Sequence, residues 1–121
     1  AFVHCAPGGA VLLAPDFVRE TFRPGTDCGG VDGEGRALRY LEWYWDPDPG
    51  DSTFCAEVVY MLREGDVVRV ERDRHRLGLF PRTVWLAELA AAGFEAAPAE
   101  LPLGYSPGEL LTAFIGVRPI R

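Results

Sequence analysis

Apolar and polar positions divide the chain into three stretches with different periods. Ala10 to Ala14 is a continuous apolar run behind the turn signal Pro7-Gly8-Gly9. That is the pattern of a strand covered on both faces, and such a strand needs a neighbour along each edge. The connection that follows, through Arg23-Pro24-Gly25 to Gly35, is polar and glycine-rich and reads as loop. From Ala37 the β-branched and aromatic residues gather into three runs, Ala37 to Trp45, Thr53 to Leu62 and Val67 to about Leu77. Asp46-Pro47-Asp48-Pro49-Gly50 and Arg63-Glu64-Gly65-Asp66 separate them as turns, which predicts an antiparallel β meander over 36–78.

The third stretch opens at Phe80-Pro81, where proline suits the first turn of a helix because its missing N–H would have no partner there. Val84, Trp85, Leu89 and Ala92 recur on one helical face, and Gly93 can take the left-handed conformation that ends the helix. A strand around Glu95 to Leu101, a loop from Gly104 to Gly108 and a central strand from Leu111 to Val117 complete the order.

Strand register assigns faces to the meander. With Arg63 to Asp66 as a four-residue turn, Leu62 pairs with Val67, Val58 with Glu71, Ala56 with Asp73 and Phe54 with His75; pairing Trp45 with Thr53 sets Tyr44 beside Phe54. One face then carries Leu38, Tyr40, Glu42, Tyr44, Phe54, Val58, Tyr60, Asp73 and His75, mixing aromatics with titratable groups as a small-molecule wall does. The other carries Leu41, Trp43, Trp45, Val59, Met61, Val68 and Val70, and reads as packing surface; Glu57 lies there opposite Arg72.

Composition narrows the chemistry. The chain has 121 residues, 48% of them hydrophobic, enough for one domain or part of one. A net charge of −6 excludes the basic face that phosphate neutralisation requires, so no nucleic-acid partner is expected. No apolar run approaches the roughly 20 residues of a membrane span. Cys5, Cys28 and Cys55 lack CxxC spacing, so reduced thiols in a cytoplasmic protein are expected, without disulfide or zinc. Neither His4 nor His75 has a partner at metal-ligand spacing.

Ala6-Pro7-Gly8-Gly9-Ala10-Val11-Leu12-Leu13, followed by Leu79-Phe80-Pro81-Arg82-Thr83-Val84-Trp85-Leu86 and Ala92-Gly93-Phe94-Glu95, resembles the C-terminal half of a class I S-adenosylmethionine-dependent methyltransferase. In that family a PGG turn leads into the fifth strand and a helix ending in AGF leads into the sixth. The meander is similar to the antiparallel sheet inserted in small-molecule members, sugar N-methyltransferases among them. The resemblance implies an α/β fold: a partial Rossmann-like sheet of the last three strands and one helix, with the meander inserted. It also implies that strands one to four, the glycine-rich loop and the acidic residue that hold S-adenosylmethionine belong to a missing N-terminal half, and that residues 1–121 are a C-terminal portion, inactive alone. Val31-Asp32-Gly33-Glu34-Gly35 does not replace that loop, for it lacks the strand before and the helix after that would aim N–H groups at a ligand.

Within that resemblance His75 is the candidate catalytic residue, because an imidazole can accept a proton from an amine or hydroxyl nucleophile or orient it. A structural hydrogen bond to Asp73 is the competing reading. Tyr44, Phe54 and Asp73 accompany His75 as substrate contacts. Asp16 and Phe17 join them by topology, since ligands of open α/β sheets gather past the carboxyl ends of strands; Asp16 equally suits the cap of a short helix. No residue is assigned to cofactor or metal. Two functions stay open: the substrate-side half of an enzyme that methylates an oxygen or nitrogen of a small molecule, paired with its N-terminal half, or a non-catalytic module for small-molecule binding or homodimer formation through an exposed aromatic face.

Overall fold

The computed structural model describes residues 1–104 and 106–121. In chain order the elements are β1 (Ala10–Leu13), β2 (Gly25–Gly33), β3 (Arg36–Trp45), β4 (Thr53–Glu64), β5 (Val67–Gly78), α1 (Arg82–Ala91), β6 (Glu95–Pro102) and β7 (Leu110–Val117). They fall into two compact units, one made of Ala1–Phe22 with Phe80–Arg121 and the other of Arg23–Leu79.

The first unit is a three-stranded sheet in the order β1-β7-β6. β7 runs antiparallel to both neighbours, so that Ile115 stands between Leu12 and Ala97. This is the expected arrangement, with the last strand in the centre. Val18, Leu89, Phe94 and Phe114 form its buried core, and the Trp85 indole stacks on Phe114 with ring centres 5.6 Å apart. Gly116 lets Phe94 and Leu89 come that close, because a Cβ there would stand 3.0 Å from the Phe94 side chain. α1 ends as its sequence predicts: Gly93 has φ +102°, its N–H donates to the Ala90 carbonyl, and the Phe94 N–H donates to that of Leu89. Those two bonds satisfy carbonyls that the helix end would otherwise leave without donors.

Three expectations for this unit change. β1 alternates exposed and half-buried residues, Leu12 is 54% exposed, and among the described residues only β7 pairs with it, so β1 is not covered on both faces here. Pro81 takes the cap position with extended ψ instead of the first helical turn. No helix follows Asp16; the chain turns at Val18, whose carbonyl accepts from the Thr21 and Phe22 N–H groups. Of the expected loop from Gly104 to Gly108, Tyr105 lies outside the described residues, and Gly108 has φ +87°.

The second unit is a four-stranded antiparallel sheet in the order β2-β3-β4-β5. Its extra strand, β2, corrects the loop assigned to Arg23 through Gly35. Gly25, Gly29, Gly30 and Gly33 have little intrinsic strand preference, and the cause lies in the facing strand. A Cβ at Gly29 would stand 2.9 Å from the Tyr40 ring, one at Gly25 2.8 Å from the Tyr44 hydroxyl, and one at Gly30 2.5 Å from the Arg39 side chain. The missing side chains are the space into which β3 lays its own, an antiparallel glycine–aromatic pairing that offsets the weak propensity.

One turn is tighter than the sequence suggests and the other longer. Glu64 pairs with Val67 across Gly65-Asp66, and Trp45 pairs with Cys55, so both registers slip by two residues: Ala56 faces His75, Val58 faces Asp73, Phe54 faces Leu77 and Tyr44 faces Ala56. A slip of two leaves every side chain on its face. Burial, however, reverses the expectation for those faces. Phe54, Ala56 and Val58 on the first are buried, whereas Leu41, Trp43, Val59, Met61, Val68 and Val70 on the second are exposed.

Candidate functional site

Across the first face of the meander the strands bring side chains into rows. Tyr44, Ala56 and His75 form one, and Asp27, Glu42, Val58 and Asp73 the next. Phe54 is two residues from Ala56 along β4, so Tyr44, Phe54 and His75 surround a fully buried alanine. The small side chain keeps the ground between the tyrosine and the imidazole low.

His75 and Asp73, two apart on β5, point to the same side, and His75 Nε2 lies 2.8 Å from Asp73 Oδ2. Asp73 Oδ1 accepts the Arg74 N–H at 2.8 Å. The His75 bond first and the Arg74 N–H second hold the Asp73 carboxyl below its ordinary range, so it is ionised at neutral pH and can only accept. Neutral His75 therefore carries its proton on Nε2, and its Nδ1 lone pair is left to accept another. Both readings of His75 thus meet in one geometry.

The same face holds a second polar pair. The Tyr40 hydroxyl donates to Asp27 Oδ2 at 3.0 Å, while Asp27 Oδ1 accepts the Cys28 N–H at 2.9 Å. The hydrogen bond to Asp27 pushes the Tyr40 phenol above its usual value, with partial burial and the carboxylate charge adding to it. Asp27 escapes sequence reasoning because it sits in the stretch read as loop. The turn signal Gly33-Glu34-Gly35 ahead of Ala37 is what marks a hairpin there. On the opposite face Glu57 is paired twice, with Arg72 at 2.8 Å and with Arg74 at 3.3 Å.

Asp16 and Phe17 belong to the first unit. They line a hollow of about 290 Å³ together with Val18, Leu103, Glu109 and Thr112, and Phe17 meets Phe22 edge to face at 5.2 Å. Tyr44, Phe54, Asp73 and His75 are thus gathered on one sheet face of the second unit, and Asp16 and Phe17 line a hollow of the first.

The described residues offer no cradle that fits S-adenosylmethionine. Val31 to Gly33 close β2 and Glu34-Gly35 is the hairpin turn. The N-terminus of α1 already has its anion: the Arg82 N–H donates to the Glu20 carboxylate at 3.0 Å. Among the described residues no helix is long and apolar enough to cross a membrane.

No protein-family model and no curated protein matches the chain. Solved structures do. The sugar N-methyltransferase KedS8 from Streptoalloteichus is 30% identical over 97% of this chain and 45% of its own, with a TM-score of 0.71. DesVI of Streptomyces venezuelae is 27% identical over 96% of this chain and 47% of its own, with a TM-score of 0.75. CalS10 of Micromonospora echinaspora, an amino pentose methyltransferase solved with S-adenosylmethionine bound, is 25% identical over 96% and 46%, with a TM-score of 0.70. The chain spans about half the length of each.

Proposed function

Taking the chain as a C-terminal half of a class I S-adenosylmethionine-dependent methyltransferase, we propose that residues 1–121 are the substrate side of a cytoplasmic enzyme that methylates a nitrogen or oxygen of a sugar-like small molecule. The observation that carries this reading is the structural match over nearly the whole chain, meander included, to proteins described as sugar and amino pentose methyltransferases. The insert is the meander of 36–78, extended by β2.

When bound, the cofactor supplies an electrophilic methyl group; its binding groups lie mainly in an N-terminal half of the same protein. This chain supplies the setting for the nucleophile. Tyr44 and Phe54 give an apolar wall, and His75, held by Asp73, presents Nδ1 to an amine or hydroxyl that must lose a proton. Asp16 and Phe17 are proposed as substrate contacts in the hollow past β1. The exposed apolar face of the meander supports a homodimer, which keeps an association role beside the catalytic one.

Calorimetric titration with S-adenosylmethionine tests the division of labour. The 13.3 kDa chain should bind negligibly, and the full-length protein one to one. Clear one-to-one binding by the monomeric short chain would overturn it.

A further inference from the structure

The first face of the second unit changes character along its strands. The row next to His75 carries Asp27, Glu42 and Asp73. At the far end Val31, Leu38, Leu62 and Arg69 form one row, and Gly33, Arg36, Glu64 and Val67 the last. These two rows line a hollow of about 440 Å³. The central strands β3 and β4 give it the half-buried side chains Leu38 and Leu62, while Arg36 and Arg69 are exposed at its margin.

The two cations are hardly engaged. Arg36 has no hydrogen-bond or ion-pair partner among the described residues, and Arg69 reaches Glu71 at 3.8 Å with both side chains more than half exposed. Other charges on the lining are occupied: Asp32 pairs with Arg39 at 3.0 Å, and Arg63 donates to the Gly65 carbonyl at 3.4 Å. Glu64 stands opposite Arg36 in the ladder without an ion pair. Solvated arginines are common singly. Two of them beside an apolar floor, in a chain of net charge −6, make a local complement to an anion with an apolar body.

We infer that this hollow binds a small carboxylate borne on an apolar group, at a site separate from His75. Leu38, Leu62 and Val31 take the apolar body, and the guanidinium forks of Arg36 and Arg69 take the two carboxylate oxygens. Glu64 opposes a second negative charge, which favours a carboxylate over a phosphate. Asp27, Glu42 and Asp73 repel the anion from the other end of the face. Arg69 is six residues from His75 along β5, about 20 Å at the rise of a strand, so one small molecule does not reach both. The site lies within the second unit and does not depend on the methyl-transfer reading.

Titration of the full-length protein with 2-naphthoate, followed by methyl and amide resonances, tests the assignment. The methyl groups of Val31, Leu38 and Leu62 should shift and those of the first unit should not. Arg36→Gln and Arg69→Gln should each weaken binding about threefold and together about tenfold, the range of exposed charge pairs. Glu64→Gln should tighten it about twofold. Added salt should weaken binding to the parent and leave the double variant unaffected. The uncharged 2-naphthamide should bind the parent about as weakly as 2-naphthoate binds the double variant, and His75→Ala should bind 2-naphthoate like the parent. Equal affinity for naphthoate and naphthamide, or unchanged affinity in the arginine variants with their β3 and β4 amides in place, overturns recognition of the charge. Inorganic phosphate displacing naphthoate at comparable concentration overturns the apolar carboxylate in favour of a plain oxyanion. Loss of binding in His75→Ala overturns the separation of the two sites, and no shift at Leu38 and Leu62 overturns the site itself.

Discussion

At Gly29 a single hydrogen in place of a side chain determines where the Tyr40 ring lies, and with it the bond to Asp27. Gly29→Ala places a methyl group 2.9 Å from that ring and forces it to move. The Tyr40–Asp27 bond is the first cause of the raised phenol pKa, so the variant should titrate Tyr40 closer to the ordinary value. Carbon-13 shifts of the tyrosine ring against pH measure this; an unmoved titration would mean that the bond survives the methyl group. His75 carries the corresponding prediction for the proposed activity. In the full-length protein His75→Ala should lower turnover about 100-fold with cofactor affinity unchanged. Asp73→Asn, which leaves the imidazole in place but removes its ionised acceptor, should lose a smaller part of the same rate. Turnover unaffected by His75→Ala in a folded protein would make the His75–Asp73 bond purely structural.

Strands β3, β4 and β5 are legible in the sequence because alternating aromatic and β-branched residues carry their own period. Their faces are legible too, since the two-residue slip at each turn preserves parity. The exact partners are not, for turn length depends on whether Glu64 joins the ladder or the loop. β2 is invisible for a different reason: its glycines make sense only beside Tyr40, Tyr44 and Arg39, and a non-local cause leaves no local pattern. The candidate site divides accordingly. His75 and Asp73 share one strand at a spacing of two and can be read together, whereas Asp27 reaches Tyr40 across a pairing the sequence hides. On the other face, Arg72 chiefly and Arg74 next hold the Glu57 carboxyl below its ordinary range. A carboxyl lowered on folding stabilises the fold fully above its unfolded pKa and ceases to do so as pH falls through the folded value. Glu57→Gln lacks that contribution throughout, so its melting temperature should fall less steeply than that of the parent between about pH 7 and about pH 3. Parallel curves would show that the pair adds nothing.

For the whole molecule, the exposed face of Leu41, Trp43, Val59, Met61, Val68 and Val70 is an apolar surface larger than single scattered residues explain. If a second copy covers it, the full-length protein should sediment as a dimer and Val70→Glu as a monomer. A monomer in both cases would leave the face to another partner.

The chain leaves the first unit after Phe22 and returns to it at Phe80, and the Arg19 N–H donates to the Phe80 carbonyl at 3.0 Å. Departure and return are thereby stapled side by side, and the 23–79 segment is an insertion between two parts of one unit. A short Gly-Ser link across that doorway needs to close only a small gap, and its entropy cost grows slowly with length. The three-stranded sheet should outlive the exchange. Such a host can trade one inserted sheet for another, or carry one that lengthens and shortens between descendants, without renegotiating its own interior.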